Sequence, residues 1–233
     1  MKSWTIVAAG LLLPAAAHAQ AYSCAIPGNV ARPHPELPTD KEPARRVPIG
    51  GYTLALIWSP EYCFHHAREE FAGFQCGGAS RFGFTLHGLW PDGVGAEWPQ
   101  YCAAAPLLPP ATIKAHLCAT PSAQLLQHEW AKHGTCVGGT PDAYFARSNA
   151  LFAKLRYPDM KALSYGATTV GRFKAAMAAA NPGLPAEAIR VTGVKGWLDE
   201  LWLCLDTKDR YVRCRVNTGG LPDEARLKIA RIK

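Results

Sequence analysis

A chain of 233 residues, 48% of them hydrophobic, has room for one sizeable domain with its own core and little room for two. Its formal charge of +7 excludes a strongly acidic protein and is compatible with a polyanionic partner, but a plain soluble basic surface explains that charge at least as well. Eight cysteines without a single C-x-x-C spacing point to disulfides in an oxidising compartment rather than to zinc.

The first residues read as an export signal. Lys2 supplies the positive start, Ile6 to Ala17 is apolar, and Ala17-His18-Ala19 is an A-x-A cleavage site. Residues 1–19 are therefore expected to leave, with a mature chain from near Gln20. Lys2 is the only charge in that segment, so the mature chain carries 7 − 1 = +6. The apolar run is too short to cross a bilayer, and no other stretch is apolar enough. Ala21-Tyr22-Ser23-Cys24 makes a poor lipobox because Tyr22 is bulky. All eight cysteines follow the signal, which fits a periplasmic or secreted protein with up to four bridges.

Residues 27–50 hold six prolines among mixed charges and read as an extended arm rather than a packed element. Tyr52 to Trp58 is a compact apolar run before Pro60, a buried strand. Residues 61–80 read as loop. Phe82 to Trp90 reads as a second strand, stopped by the turn signal Pro91-Asp92-Gly93. Residues 99–121 read as loop around a short helix. Ser122 can cap a helix from Ala123 to His133, with Gly134 able to end it in a left-handed cap.

Thr140-Pro141 opens the next helix, whose apolar residues Tyr144, Phe145, Leu151, Phe152 and Leu155 recur at helical spacing up to Pro158. Thr168 or Thr169 opens a third, running through Phe173 and Met177 to Asn181. Residues 197–206 and 211–216 read as a hairpin that would join Cys204 to Cys214, and 217–233 reads as a basic tail with no clear element. No internal repeat or linker is visible. Strands separated by helices, with a late hairpin, predict a single α+β domain.

Two polar clusters stand out. In His128-Glu129-Trp130-Ala131-Lys132-His133, an α-helix places Lys132 about 40°, Glu129 about 100° and His133 about 140° from His128, so the polar groups share one side. Trp130 and Ala131 point the other way. Taken alone, the cluster is more simply an ordinary helix C-terminus, with cations offsetting the macrodipole before a glycine. A zinc peptidase is the competing catalytic reading. It needs histidines four apart, whereas His128 and His133 are five apart and diverge by about 140° on an α-helix. The second cluster is His87 with Trp90 and Asp92. A strand-end histidine is commonly structural and a lone tryptophan commonly core, yet the pair also suits an active-site edge with a ring for base stacking.

The motifs FTLHGLWPDG and HEWAKHGTC resemble, in order and in their rare residue types, the two active-site motifs of the ribonuclease T2 family. The clear resemblance covers residues 52–136, with a looser one by hairpin and cysteine placement to about 216. It implies an α+β fold with a central, mainly antiparallel sheet flanked by helices. It also implies metal-free, cofactor-free endonucleolytic cleavage of single-stranded RNA through a 2′,3′-cyclic phosphate, with DNA inert. By motif position, His133 takes the proton from the 2′-hydroxyl and His87 protonates the leaving oxygen. Lys132 and Glu129 support the phosphorane, His128 holds phosphate, and Trp90 and Asp92 line the base side.

The resemblance further implies a Cys102–Cys136 bridge, and Cys63–Cys76, Cys204–Cys214 and Cys24–Cys118 complete the expected set. The expected layout is a signal at 1–19, a Pro-rich arm at 20–50, a catalytic domain at 51–216 and a basic tail at 217–233, acting as a monomer. The alternative is a non-catalytic relative that binds RNA or a partner. Such a protein would not require His87, His133, Lys132 and Glu129 together.

Overall fold

The computed structural model describes residues 21–215 and 219–232, so the signal expected at 1–19 lies outside the described residues. In chain order, β1 (Ala21–Ser23) precedes the arm, and β2 (Ile49–Trp58) follows it. Two short helices, α1 (Ser59–His66) and α2 (Gly73–Cys76), then replace the loop expected at 61–80. They are tied by Cys63–Cys76. Next come β3 (Arg81–Phe82), β4 (Phe84–Gly93), α3 (Pro110–His116) and α4 (Ala123–Glu129). A π-helical turn over Trp130–Gly134 runs into α5 (Thr135–Val137). The rest is α6 (Pro141–Ala153), α7 (Met160–Leu163), β5 (Thr168–Thr169), α8 (Val170–Ala180), a 3₁₀ turn at Ala186–Ala188, β6 (Ile189–Val194), β7 (Trp197–Leu205) and β8 (Arg226–Leu227).

The result is one α+β domain around a four-stranded antiparallel sheet in the order β4-β2-β7-β6. Leu54, Leu56 and Trp58 of β2, Leu86 and Leu89 of β4, and Leu201 and Leu203 of β7 meet Phe145 and Phe152 of α6 and Phe173 and Met177 of α8 in one buried cluster. The helix starts follow local chemistry: Ser122, Thr140 and Thr169 each accept a hydrogen bond from the backbone N–H three residues on. Four disulfides are present, Cys24–Cys118, Cys63–Cys76, Cys102–Cys136 and Cys204–Cys214. Among the described residues no helix is long and apolar enough to cross a membrane.

Four expectations need correcting. Pro91-Asp92-Gly93 does not end the second strand; β4 runs through it, with Pro91 opposite Tyr52. Because β4 is an edge strand, a residue without an N–H costs it no ladder bond on the open side. The late hairpin is made by β6 and β7 across a turn at Lys195-Gly196, while 211–215 contributes only an isolated bridge from Tyr211 to Leu205. Gly134 is not a left-handed cap: its φ is −62°, and the positive φ comes at Gly138. Finally, the tail is not featureless, since Leu227 and Ile229 are buried in the main core and β8 pairs with β5.

Candidate active site

Two local irregularities build the site. In the β2–β4 pairing Ala55 faces Gly88 but Leu56 faces Leu86, so His87 is the extra residue of a bulge on the edge strand. Such a bulge re-aims its side chain, here toward the helix that packs along that edge. That helix carries the second irregularity. Thr135 N–H reaches back to the Trp130 carbonyl, five residues away, which widens the turn. His128 and His133 meet edge to face, with ring centroids 6.2 Å apart.

This overturns the angular reason for setting a shared metal aside. One ligand atom from each of His128, Glu129 and His133 can lie within 4.8 Å of the others. The α-helical wheel misplaced His133 because it could not anticipate the π turn. Both carboxylate oxygens of Glu129 accept the Trp90 indole N–H, at 3.2 and 3.0 Å, and that commitment sets its orientation toward the sheet.

Glu129 is 1% exposed and stands against Gly88. A β-carbon at Gly88 would lie 1.7 Å from Glu129 Oε2, so only glycine allows this approach. His87 sits between two carboxylates: Nδ1 is 2.5 Å from Glu200 Oε1, and Nε2 is 3.6 Å from Glu129 Oε1. Glu200 lies on β7, paired with Ile57 of β2, and its other oxygen accepts the Trp202 indole N–H at 2.7 Å. Trp90 stands among three rings, edge-on to His87 at 4.9 Å, stacked on His133 at 5.6 Å and edge-on to Trp202 at 5.5 Å. Lys132 and His128 lie on the outer side and meet the arm, Lys132 Nζ donating to Glu42 Oε1 at 2.6 Å and His128 Nδ1 lying 3.0 Å from Glu36 Oε1. Asp92 sits beyond the cluster, its carboxylate taken by Thr53 Oγ1 at 2.9 Å.

The two inner histidines have opposite electrostatics. Burial, reinforced by the positive charges of His128, Lys132 and His87, pushes the His133 pKa well below its ordinary value, and its Nδ1 is buried without a hydrogen-bond partner. Burial also works against charge on His87, but the hydrogen bond and charge of Glu200, with the charge of Glu129, outweigh it and raise that pKa. The two pKa values are thus pushed apart, which favours the neutral form of His133 and the charged form of His87. Burial raises the Glu129 pKa, against the pull of His87, His128, the Trp90 N–H and Lys132.

Sequence reasoning missed Glu200. Its only sequence signal was an acidic pair, Asp199-Glu200, interrupting the apolar run of β7. Tyr101 was also missed. Its backbone N–H donates to the Lys132 carbonyl at 2.8 Å, and its hydroxyl donates to Glu36 at 3.0 Å.

Glu200 hydrogen-bonds His87 Nδ1 and, against burial, raises its pKa. A Glu200→Gln variant is expected to lose activity about tenfold or more, a part of what a general acid contributes. Its alkaline pH limb should move to lower pH, because the neutral amide no longer favours charged His87. The kcat/KM profile reads this directly, and an unmoved alkaline limb refutes it.

Paired histidines whose pKa values are pushed in opposite directions, packed about a buried glutamate beside a lysine on an α+β fold, make an arrangement that acid/base chemistry can use. Residues 49–214 match the Ribonuclease T2 family, and the chain belongs to that family. A "Probable ribonuclease" of Haemophilus influenzae is 31% identical over 182 residues, covering 73% of this chain and 62% of that protein. The chain thus spans somewhat less than two thirds of that relative. "Ribonuclease I" of Escherichia coli is 28% identical over 199 residues, covering 66% of this chain and 74% of its own length. Among solved structures, an RNase-related protein from Calystegia sepium superposes with a TM-score of 0.60 at 22% identity, covering 80% of this chain and 98% of that one. RNase NT, solved in complex with 5′-AMP, gives 0.57 at 19% identity, covering 78% and 98%. At these identities the structural likeness concerns the fold alone.

Proposed function

We propose that this protein is an endoribonuclease that cleaves single-stranded RNA by metal-independent transphosphorylation. The observation that carries the proposal is the placement of His87 and His133 about one buried carboxylate and the Trp90 ring, with their pKa values pushed in opposite directions. Neutral His133 removes the proton from the 2′-hydroxyl, and O2′ attacks phosphorus to form the pentacovalent phosphorane. Charged His87 then gives its proton to the departing 5′-oxygen, leaving a 2′,3′-cyclic phosphate. The phosphorane carries more negative charge than the ground state, so the ammonium of Lys132 stabilises it preferentially. His128 holds a phosphate oxygen, and Glu129 with Trp90 sets the spacing of the inner groups. Trp90 and, further out, Asp92 belong to the base side. DNA lacks the 2′-hydroxyl and has no nucleophile for this route.

Disulfides and the leader-like first residues support an exported protein, periplasmic or secreted. The decisive experiment incubates purified protein with a mixed-sequence RNA oligonucleotide and its DNA counterpart in EDTA. The expected result is cleavage of the RNA alone, with cyclic phosphate ends. Loss of cleavage in EDTA, or binding without turnover, overturns the proposal.

A further inference from the structure

The arm at residues 27–48 lies outside the stretch that matches the family, yet it reaches the site. It is anchored on both sides of the catalytic helix. At one end His34 N–H donates to Gln124 Oε1 at 2.7 Å. At the other, Arg45 bridges to Gln100 through both backbone groups, Gln100 Nε2 donates to the Pro43 carbonyl at 2.7 Å, and Arg46 Nε donates to the Cys102 carbonyl at 2.9 Å. Between these anchors the arm presents two carboxylates to the site, Glu36 and, at the end of a turn closed by reciprocal Thr39 and Glu42 backbone bonds, Glu42.

Their targets are selective. Glu36 meets His128 at 3.0 Å, supported by the Tyr101 hydroxyl at 3.0 Å and Gln124 Nε2 at 3.4 Å. Glu42 meets Lys132 at 2.6 Å. His128 and Lys132 are the two side chains assigned to phosphate. The proton-transfer pair is treated differently, since His87 faces Glu200 and Glu129, and His133 Nδ1 has no partner. A carboxylate resembles a phosphodiester locally: one negative charge shared by two oxygens that accept from the same donors. Glu42 is half exposed, at 47%, while Lys132 is 14% exposed, so the glutamate can swing away without unpacking the helix.

We propose that Glu36 and Glu42 set the affinity of this site for RNA phosphate by occupying its anion positions, so that RNA binds by displacing the arm's carboxylates. This rests on the ribonuclease reading for its substrate, but not for its anion site. The anion is a phosphate monoester or diester, free or within RNA. The arm is held by its backbone anchors whether or not the two side chains are in place, so displacement requires only two side chains to move.

The test uses the full mature chain with Glu36→Gln, Glu42→Gln and the double variant, neither residue taking part in proton transfer. Calorimetry measures binding of inorganic phosphate, and steady-state kinetics measures KM and kcat on a short RNA. Each substitution is expected to tighten phosphate binding and lower KM by about two- to fivefold, the scale of a partly exposed ion pair, with kcat unchanged or raised. Unchanged phosphate binding in the double variant overturns the proposal. So does a fall in kcat at constant KM, which would make the glutamates positioning residues instead. Should the unmodified protein fail to cleave RNA, the function fails, and phosphate calorimetry still decides the role of the arm.

Discussion

His133→Ala is expected to lower kcat on RNA by about 10²- to 10⁴-fold, the range that a positioned general base supplies. The signs of the pH profile make this specific. A base must be neutral, so activity falls as pH drops through the pKa of His133. An acid must be charged, so activity falls as pH rises through that of His87. Burial and the neighbouring cations push the first pKa down. Burial opposes charge on His87, but the Glu200 hydrogen bond and the two carboxylates raise the second. The unmodified protein should therefore show a broad plateau spanning the ordinary histidine range. In His133→Ala the acidic limb disappears, and the alkaline limb persists in the residual activity. Because His133 also stacks on Trp90, a thermal melt is recorded alongside to separate lost chemistry from lost packing. Unimpaired turnover in a folded His133→Ala protein removes His133 from the mechanism.

Gly88→Ala should cost nearly as much activity with a far smaller change in chemistry. The added methyl would stand 1.7 Å from Glu129 Oε2 and 3.0 Å from Trp90 Nε1. The carboxylate must swing away, losing the Trp90 N–H and its place beside His87. Overpacking of this kind destabilises by about 1–3 kcal/mol. A misplacement on the order of 1 Å in a catalytic array costs about 100-fold. The expected result is a folded protein, with a modestly lower melting temperature and kcat down by about 100-fold. Activity within about twofold of the unmodified protein, a small part of that expected loss, would show that Glu129 need not stand there.

The two variants probe different kinds of information. His133 stood out only through the resemblance of its motif, since the cluster taken alone read more simply as a helix C-terminus. The need for glycine at position 88 did not stand out, because a missing side chain leaves a signal only when the group that fills its place is known. The zinc argument fell for a related reason. Wheel angles assume i→i+4 bonding, and a π turn replaces that ladder wherever tertiary packing favours it. Tight helix packing explains Gly134 too: a β-carbon there would meet the Trp130 ring at 2.3 Å and Tyr144 at 3.0 Å. Its sequence position suggested a cap, and its function is close contact.

The sequence by itself determined the helix starts at Ser122 and Thr140, narrowed the third to Thr168 or Thr169, and marked the buried strand after residue 50. These depend on neighbours within a turn or on a short apolar run, so a local reading reaches them. Tertiary structure alone decided that Glu200, 113 residues from His87, meets that histidine. It likewise decided that the Pro-rich arm brings Glu36 and Glu42 to His128 and Lys132, 92 and 90 residues away. Contacts over such separations depend on strand order, a bulge and a loop's path. No local propensity encodes them, and only the assembled sheet brings them together.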